Sequence, residues 1–148
     1  MPIEIKTSDI SLEQLENFLI KVDKEFERPL SSRVGNMADY AKKLFTNSEI
    51  VVAFDNNKLA GLAATYMNNI STNCAFLAQL VVLKEFRRRN IGKSLLDFTI
   101  ALARKKGMKK IRLEVDYSAI GAMELYKQIG FDEEIQASAD SVLMVKAL

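Results

Sequence analysis

The chain has 148 residues, of which 49% are hydrophobic and 27% charged, and it carries a net charge of +2. That suits a single domain over residues 1–148 with a core that needs no disulfide, and so small a charge argues for neither a nucleic-acid nor a membrane partner. No apolar run is long enough to cross a bilayer, and the N-terminus lacks the basic-then-apolar layout of a signal peptide, so a cytoplasmic location is expected.

Residues 3–7 alternate apolar and polar and read as a strand. Ser11 then caps a helix running to about Glu25, with Leu12, Leu15, Phe18, Leu19 and Val22 on one face. Residues 26–36 read as a loop and 37–46 as a second, short helix. Residues 49–54 and 59–68 form a hairpin, because Asp55, Asn56, Asn57 and Lys58 tolerate unusual backbone angles. Residues 75–83 are nearly all apolar, as in a strand covered on both faces. Residues 91–106 make a helix on the stripe Ile91, Leu95, Phe98 and Leu102, stopped by Gly107. A strand at 110–115, a helix at 118–128 ended by Gly130, and weaker strands at 131–136 and 141–146 complete the order. The strand–helix–strand unit from 75 to 115 implies a parallel pair with a right-handed crossover, and the other strands suit hairpins. The fold class is α/β (α+β): a mixed sheet with helices on both faces.

Histidine is absent. Ser-His-Asp and Cys-His mechanisms and histidine-ligated zinc are therefore excluded, and no metal is expected. Cys74 lies in an apolar stretch with no basic neighbour in sequence, which points to a buried structural thiol. Any base must be a carboxylate, a lysine, a tyrosine or a water.

The sharpest local signal lies between the apolar strand and the long helix: Arg87, Arg88, Arg89, Asn90, Ile91, Gly92, Lys93 and Ser94. A helix start carries partial positive charge and unpaired N–H groups. Four cations at that end oppose the dipole unless an anion sits there, and Gly92 lets a backbone approach a ligand closely. The spacing fits neither a Walker loop nor a dinucleotide fingerprint.

This stretch resembles the GNAT (Gcn5-related N-acetyltransferase) superfamily, whose loop reads Q/R-x-x-G-x-G/A. Arg87 takes the first position and Gly92 the last. Asn90 replaces the middle glycine, and asparagine tolerates left-handed backbone. A second stretch, Ala119 to Phe131, is similar to the family's N-x-x-A-x-x-L-Y-x-x-x-G-F. Ala122, Leu125, Tyr126, Gly130 and Phe131 match it, while Ala119 stands in place of asparagine.

The resemblance implies a mostly antiparallel sheet of six or seven strands with one splayed parallel pair. It implies an acetyl-CoA-dependent N-acetyltransferase acting on a primary amine of a small molecule or peptide by direct attack in a ternary complex. The alternative is a non-catalytic acyl-CoA-binding or sensing module. The pantetheine arm would pair with main-chain groups at Leu80, Val81 and Val82, much like an added strand, and the pyrophosphate would rest on amides of Arg88–Lys93. Ala119 and Ala122 would leave room for the coenzyme, a main-chain N–H near Val82 would serve the oxyanion, and Tyr126 would protonate the leaving thiolate. Glu114 and Asp116 are candidates for the base, Tyr66 and Gln79 could position a water, and a water chain is an equal alternative. Residues 25–36, the third strand and the C-terminal hairpin would form the acceptor pocket, with Glu25, Glu27 and Tyr66 facing a cationic amine. Dimers are common in the family, so a homodimer is compatible with it.

Overall fold

The computed structural model describes residues 3–7, 9–25 and 34–148. The loop expected at 26–36, including Glu27, lies mostly outside them. The described elements are β1 (Ile3–Thr7), α1 (Leu12–Asp23), α2 (Met37–Asn47), β2 (Glu49–Asp55), β3 (Lys58–Tyr66), β4 (Cys74–Val82), α3 (Ile91–Lys105), β5 (Lys110–Asp116), α4 (Ile120–Ile129), β6 (Asp132–Gln136) and β7 (Ser141–Ala147). A 3-10 turn at Lys84–Phe86, absent from the sequence reading, leads from β4 toward α3.

Local chemistry sets most boundaries. Ser11 and Gln14 form a reciprocal capping box that starts α1, at 3.1 and 2.8 Å. Asn56 takes the left-handed conformation that the β2–β3 turn requires, with φ of 56°. β3 stops at Tyr66, short of the expected Asn68, because Asn69 accepts a bond from the Asn73 amide and closes a turn. α4 starts at Ile120 rather than Ser118, since the Ala119 amide donates to the Asp116 carbonyl and holds residues 117–119 in a turn.

The seven strands form one sheet in the order β1-β2-β3-β4-β5-β7-β6. All neighbours are antiparallel except β4 and β5. The two faces are covered differently. A side chain at Gly61 would strike Leu95 of α3, whereas Gln79 bonds Tyr40 of α2. Gly61 pairs with Val82 and Ala64 with Gln79, an odd offset along β3, so α2 and α3 lie on opposite faces. α3 buries Ile91, Leu95, Leu96, Thr99, Ile100 and Ala103. Phe98 and Leu102, expected at the centre of its stripe, pack only at the margin of the core.

Two irregularities position the site. On β4, Gln79 opposes Ala64 but Leu77 opposes Thr65, so Ala78 is an extra, bulged residue. The parallel pairing of β4 with β5 runs from Cys74↔Lys110 to Leu77↔Leu113 and ends there. The bulge thus sits where the strands part: it bends β4 away while β5 continues straight beside β7.

Candidate active site

Beyond Leu77 and Leu113 the parted strands enclose a cleft of about 370 Å³. Gln79, Leu80, Val81 and Arg87 line one side, and Glu114, Val115, Asp116, Ala119 and Tyr126 the other. A second hollow of about 300 Å³ shares Leu77, Ala78, Glu114 and Asp116 with it and adds Phe76. The splayed pair is therefore approached from two sides, with Glu114 and Asp116 common to both.

The edge of β4 follows from its pairing with β3. The Leu83 amide donates to the Ala60 carbonyl at 2.9 Å, so residue 83 points its main chain at β3. Alternation gives Val81 the same direction and turns the N–H and C=O of Leu80 and Val82 toward the cleft. Val81, expected to meet the coenzyme through its main chain, lines the cleft with its N–H and C=O directed at β3 by this alternation. The Val82 carbonyl accepts a bond from Arg87 Nε at 3.3 Å.

The ledge at the end of the cleft is the start of α3. Asn90 has φ of 58°, as its tolerance of left-handed backbone suggested, and Arg88 has φ of 66°, which the sequence did not suggest. Asn90 makes no side-chain cap. Among the described residues, the amides of Arg88, Asn90, Ile91, Gly92 and Lys93 donate to no protein acceptor; the first to do so is Ser94, to the Asn90 carbonyl. Successive free amides around left-handed residues make a concave donor surface suited to an anion.

The cations contribute less than the sequence reading expected. Arg89 pairs with Asp55 at 3.0 Å, Lys93 with Asp97 at 2.7 Å, and Arg87 approaches Glu25 at 3.7 Å. Only Arg88 of the four has no such partner among the described residues. Acidic residues one helical turn away and far away in sequence, on β2 and after α1, offset the basic run, so free amides rather than crowded charge define the ledge. Gly92 has no packing duty: an added Cβ would meet only Leu125 at 3.6 Å and Val82 at 4.0 Å. Gly92 is half-buried, so part of its backbone stays open to close approach. Ile91, by contrast, puts its side chain into the core.

Tyr126 is 7% exposed and packs edge-on against Phe131, with ring centres 5.8 Å apart. Among the described residues its hydroxyl has no hydrogen-bond partner, and Tyr126 lines the cleft. Burial pushes its pKa up to about 12, so it holds its proton at any ordinary pH. Ala119 lines the cleft about two turns before it, while Ala122 is half-buried outside the lining. Tyr66, raised by burial, also lies outside the lining.

The family model for the acetyltransferase (GNAT) family matches residues 13–131. The chain belongs to the GNAT acetyltransferase family. An uncharacterised N-acetyltransferase of Methanocaldococcus jannaschii is 35% identical over 83 residues, covering 53% of this chain and 37% of that protein. The ribosomal protein bS18 alanine N-acetyltransferase of Escherichia coli is 32% identical over 78 residues, covering 53% of this chain and 51% of that one. The matches span between 21% and 55% of the lengths of such curated relatives. The crystal structure of the PaiA N-acetyltransferase of Thermoplasma acidophilum in complex with coenzyme A superposes over the whole of both chains, with a TM-score of 0.76 at 22% identity. That likeness is one of fold.

Several parts of this GNAT site were not visible in the sequence. Glu25, at the end of α1, accepts the Lys84 amide at 2.8 Å and so ties the first helix to the cleft. Gln79 donates to the Tyr40 hydroxyl at 2.7 Å. Cys74 is half-buried and lies 4.0 Å from Arg112 Nη1, a basic neighbour across the parallel pair that sequence adjacency hid. Among the described residues no group of three or more His, Cys, Asp or Glu side chains is placed to hold a metal ion. Among the described residues no helix is long and apolar enough to cross a membrane.

Proposed function

We propose that the protein is an acetyl-CoA-dependent N-acetyltransferase, one domain over residues 1–148, that moves an acetyl group to a primary amine of a small molecule or peptide. The carrying observation is the parting of β4 from β5 at the Ala78 bulge, with the unpartnered Tyr126 hydroxyl inside the gap. Acetyl-CoA fits the chain's own groups. The amides of Arg88–Lys93 take the pyrophosphate, Arg88 adds charge, and Leu80 and Val82 offer donors and acceptors to an extended pantetheine arm.

Glu114 is our choice for the base. It faces both hollows and lies across the gap from β4, so it accepts a proton from an ammonium group arriving on the side of Phe76 and Ala78. The neutral amine then attacks the thioester carbonyl, whose oxyanion the Leu80 or Val82 N–H receives. The C–N bond forms, the C–S bond breaks, and the amine's second proton leaves with solvent or the departing sulfur.

Tyr126 faces that sulfur. A phenol held at about 12 is a weaker acid than an ordinary thiol at about 8.5, so full proton transfer to a wet thiolate runs uphill by roughly 5 kcal/mol. In a dry cleft the thiolate is as poorly solvated as the phenolate, and the gap narrows. Tyr126 therefore serves as a hydrogen-bond donor to sulfur as charge develops on it. A cytoplasmic setting is part of this reading.

The test is release of free CoA thiol from acetyl-CoA, with a short peptide bearing a free alanyl α-amine and with 1,4-diaminobutane as acceptors. Relatives such as the bS18 alanine acetyltransferase support including the peptide. Turnover with either supports the assignment. Tight CoA binding with no turnover on any primary amine replaces it with a non-catalytic acyl-CoA-binding module, the reading that the uncapped Ala119 favours.

A further inference from the structure

Resting on Glu114 as the base, the geometry points to Ser141 as its positioning residue, backed by Ser138, so that the β6–β7 hairpin orients the catalytic carboxylate. Ser141 begins β7 and pairs with Asp116, which places it diagonally beside Glu114 on the same sheet face. It is 1% exposed, and its hydroxyl donates to Glu114 Oε2 at 2.6 Å.

A hydroxyl has one proton to give. With that proton committed to Glu114, the 2.8 Å contact between the Ser138 and Ser141 hydroxyls runs from Ser138 as donor. Ser138 Oγ in turn accepts the Asp140 amide at 3.1 Å. Every link donates toward Glu114. The tip is held by main-chain bonds from the Ala137 and Ser138 amides to the Ser141 carbonyl, at 3.0 and 3.3 Å.

The nearer of the two cations on the same strand face, Arg112 rather than Lys110, is engaged away from Glu114. Arg112, two residues earlier on β5, gives both Nε and Nη2 to Glu134 of β6, each at 2.9 Å. The hairpin thus fixes one carboxylate oxygen of Glu114 and engages the arginine that would otherwise neutralise it. Glu114 Oε1 is left for the acceptor ammonium.

The experiment compares Glu114→Gln, Ser141→Ala, Ser138→Ala and the double variant Glu114→Gln/Ser141→Ala, with acetyl-CoA and the alanyl peptide. Ser141→Ala is expected to lower kcat about tenfold and Ser138→Ala about threefold, both with CoA affinity unchanged. The double variant is expected to be no slower than Glu114→Gln alone, since residues acting through one another do not add. A crystal structure of Ser141→Ala should show the Glu114 carboxylate turned from its place in the cleft, a readout that needs no turnover.

If Glu114→Gln is slow while Ser141→Ala and Ser138→Ala match the parent, the positioning role is wrong and the base stands. If Glu114→Gln itself matches the parent, the base assignment fails first. Ser138 lies on the exposed tip, so its variant remains informative should Ser141→Ala not fold.

Discussion

The two mouths of the cleft are built on opposite plans. The proposed ledge at the start of α3 comes from one continuous stretch, Arg88 to Lys93, in which the amides of Arg88, Asn90, Ile91, Gly92 and Lys93 donate to no acceptor among the described residues. The acceptor side is assembled from β5, the β6–β7 hairpin and the end of α1, and works through side chains held by other side chains. A site made of contiguous backbone needs only a permissive local sequence. A site made of distant carboxylates needs the whole sheet in register. Substitutions at the two mouths are therefore expected to fail differently: the ledge in affinity, the acceptor side in rate.

The largest expected effect is on the acceptor side. Glu114→Gln removes the proton acceptor and is expected to lower kcat about a hundredfold at neutral pH, with CoA affinity unchanged in calorimetry. An equal fall in affinity would merge the two mouths into one site and break the contrast.

Next comes Tyr126→Phe. Losing a hydrogen bond to a buried, developing thiolate is expected to lower kcat about thirtyfold, again without loss of CoA binding. Retention of full rate would remove the hydroxyl from the chemistry and leave its place in the cleft without a function.

Gly92→Ala probes the ledge, with the opposite signature. Its new methyl has room against Leu125 and Val82, and alanine suits a helix better than glycine by about 0.5–1 kcal/mol. The variant is expected to be slightly more stable in urea titrations yet to bind CoA about tenfold more weakly. Unchanged affinity would place the pyrophosphate elsewhere.

How much of this could be read beforehand divides along the same line. Asn90 in the left-handed conformation, the α3 start and the apolar β4 were legible, because each depends on residues next to one another. The parting of β4 and β5 was an inference from likeness alone: its local cause, the bulge at Ala78, leaves no mark in an apolar run. The ion pairs Arg89–Asp55 and Arg112–Glu134 were equally hidden, since their partners lie 34 and 22 residues away. Gly61 read as an ordinary strand residue, although a Cβ there would sit 2.8 Å from the Val81 carbonyl and displace the strand that carries Leu80 and Val82.

The smallest expected effect tests whether the floor between the mouths is dry. Burial raises Tyr126 from an ordinary tyrosine value near 10 to about 12, so the folded protein holds this proton more tightly than the unfolded chain. Below pH 10 both states keep it, and stability is unaffected. As pH rises from 10 toward 12 the unfolded chain ionises first, and the fold loses stability. Tyr126→Phe has no such proton. The stability difference between parent and Tyr126→Phe, measured by urea unfolding, is therefore expected to shift against the parent by about 0.8 kcal/mol between pH 8 and pH 10.5. A difference that stays flat would mean that water reaches the hydroxyl in the free protein. Tyr126 would then behave as part of the wet ledge, and the dry environment that narrows its proton gap to the sulfur would have to come from the bound substrate.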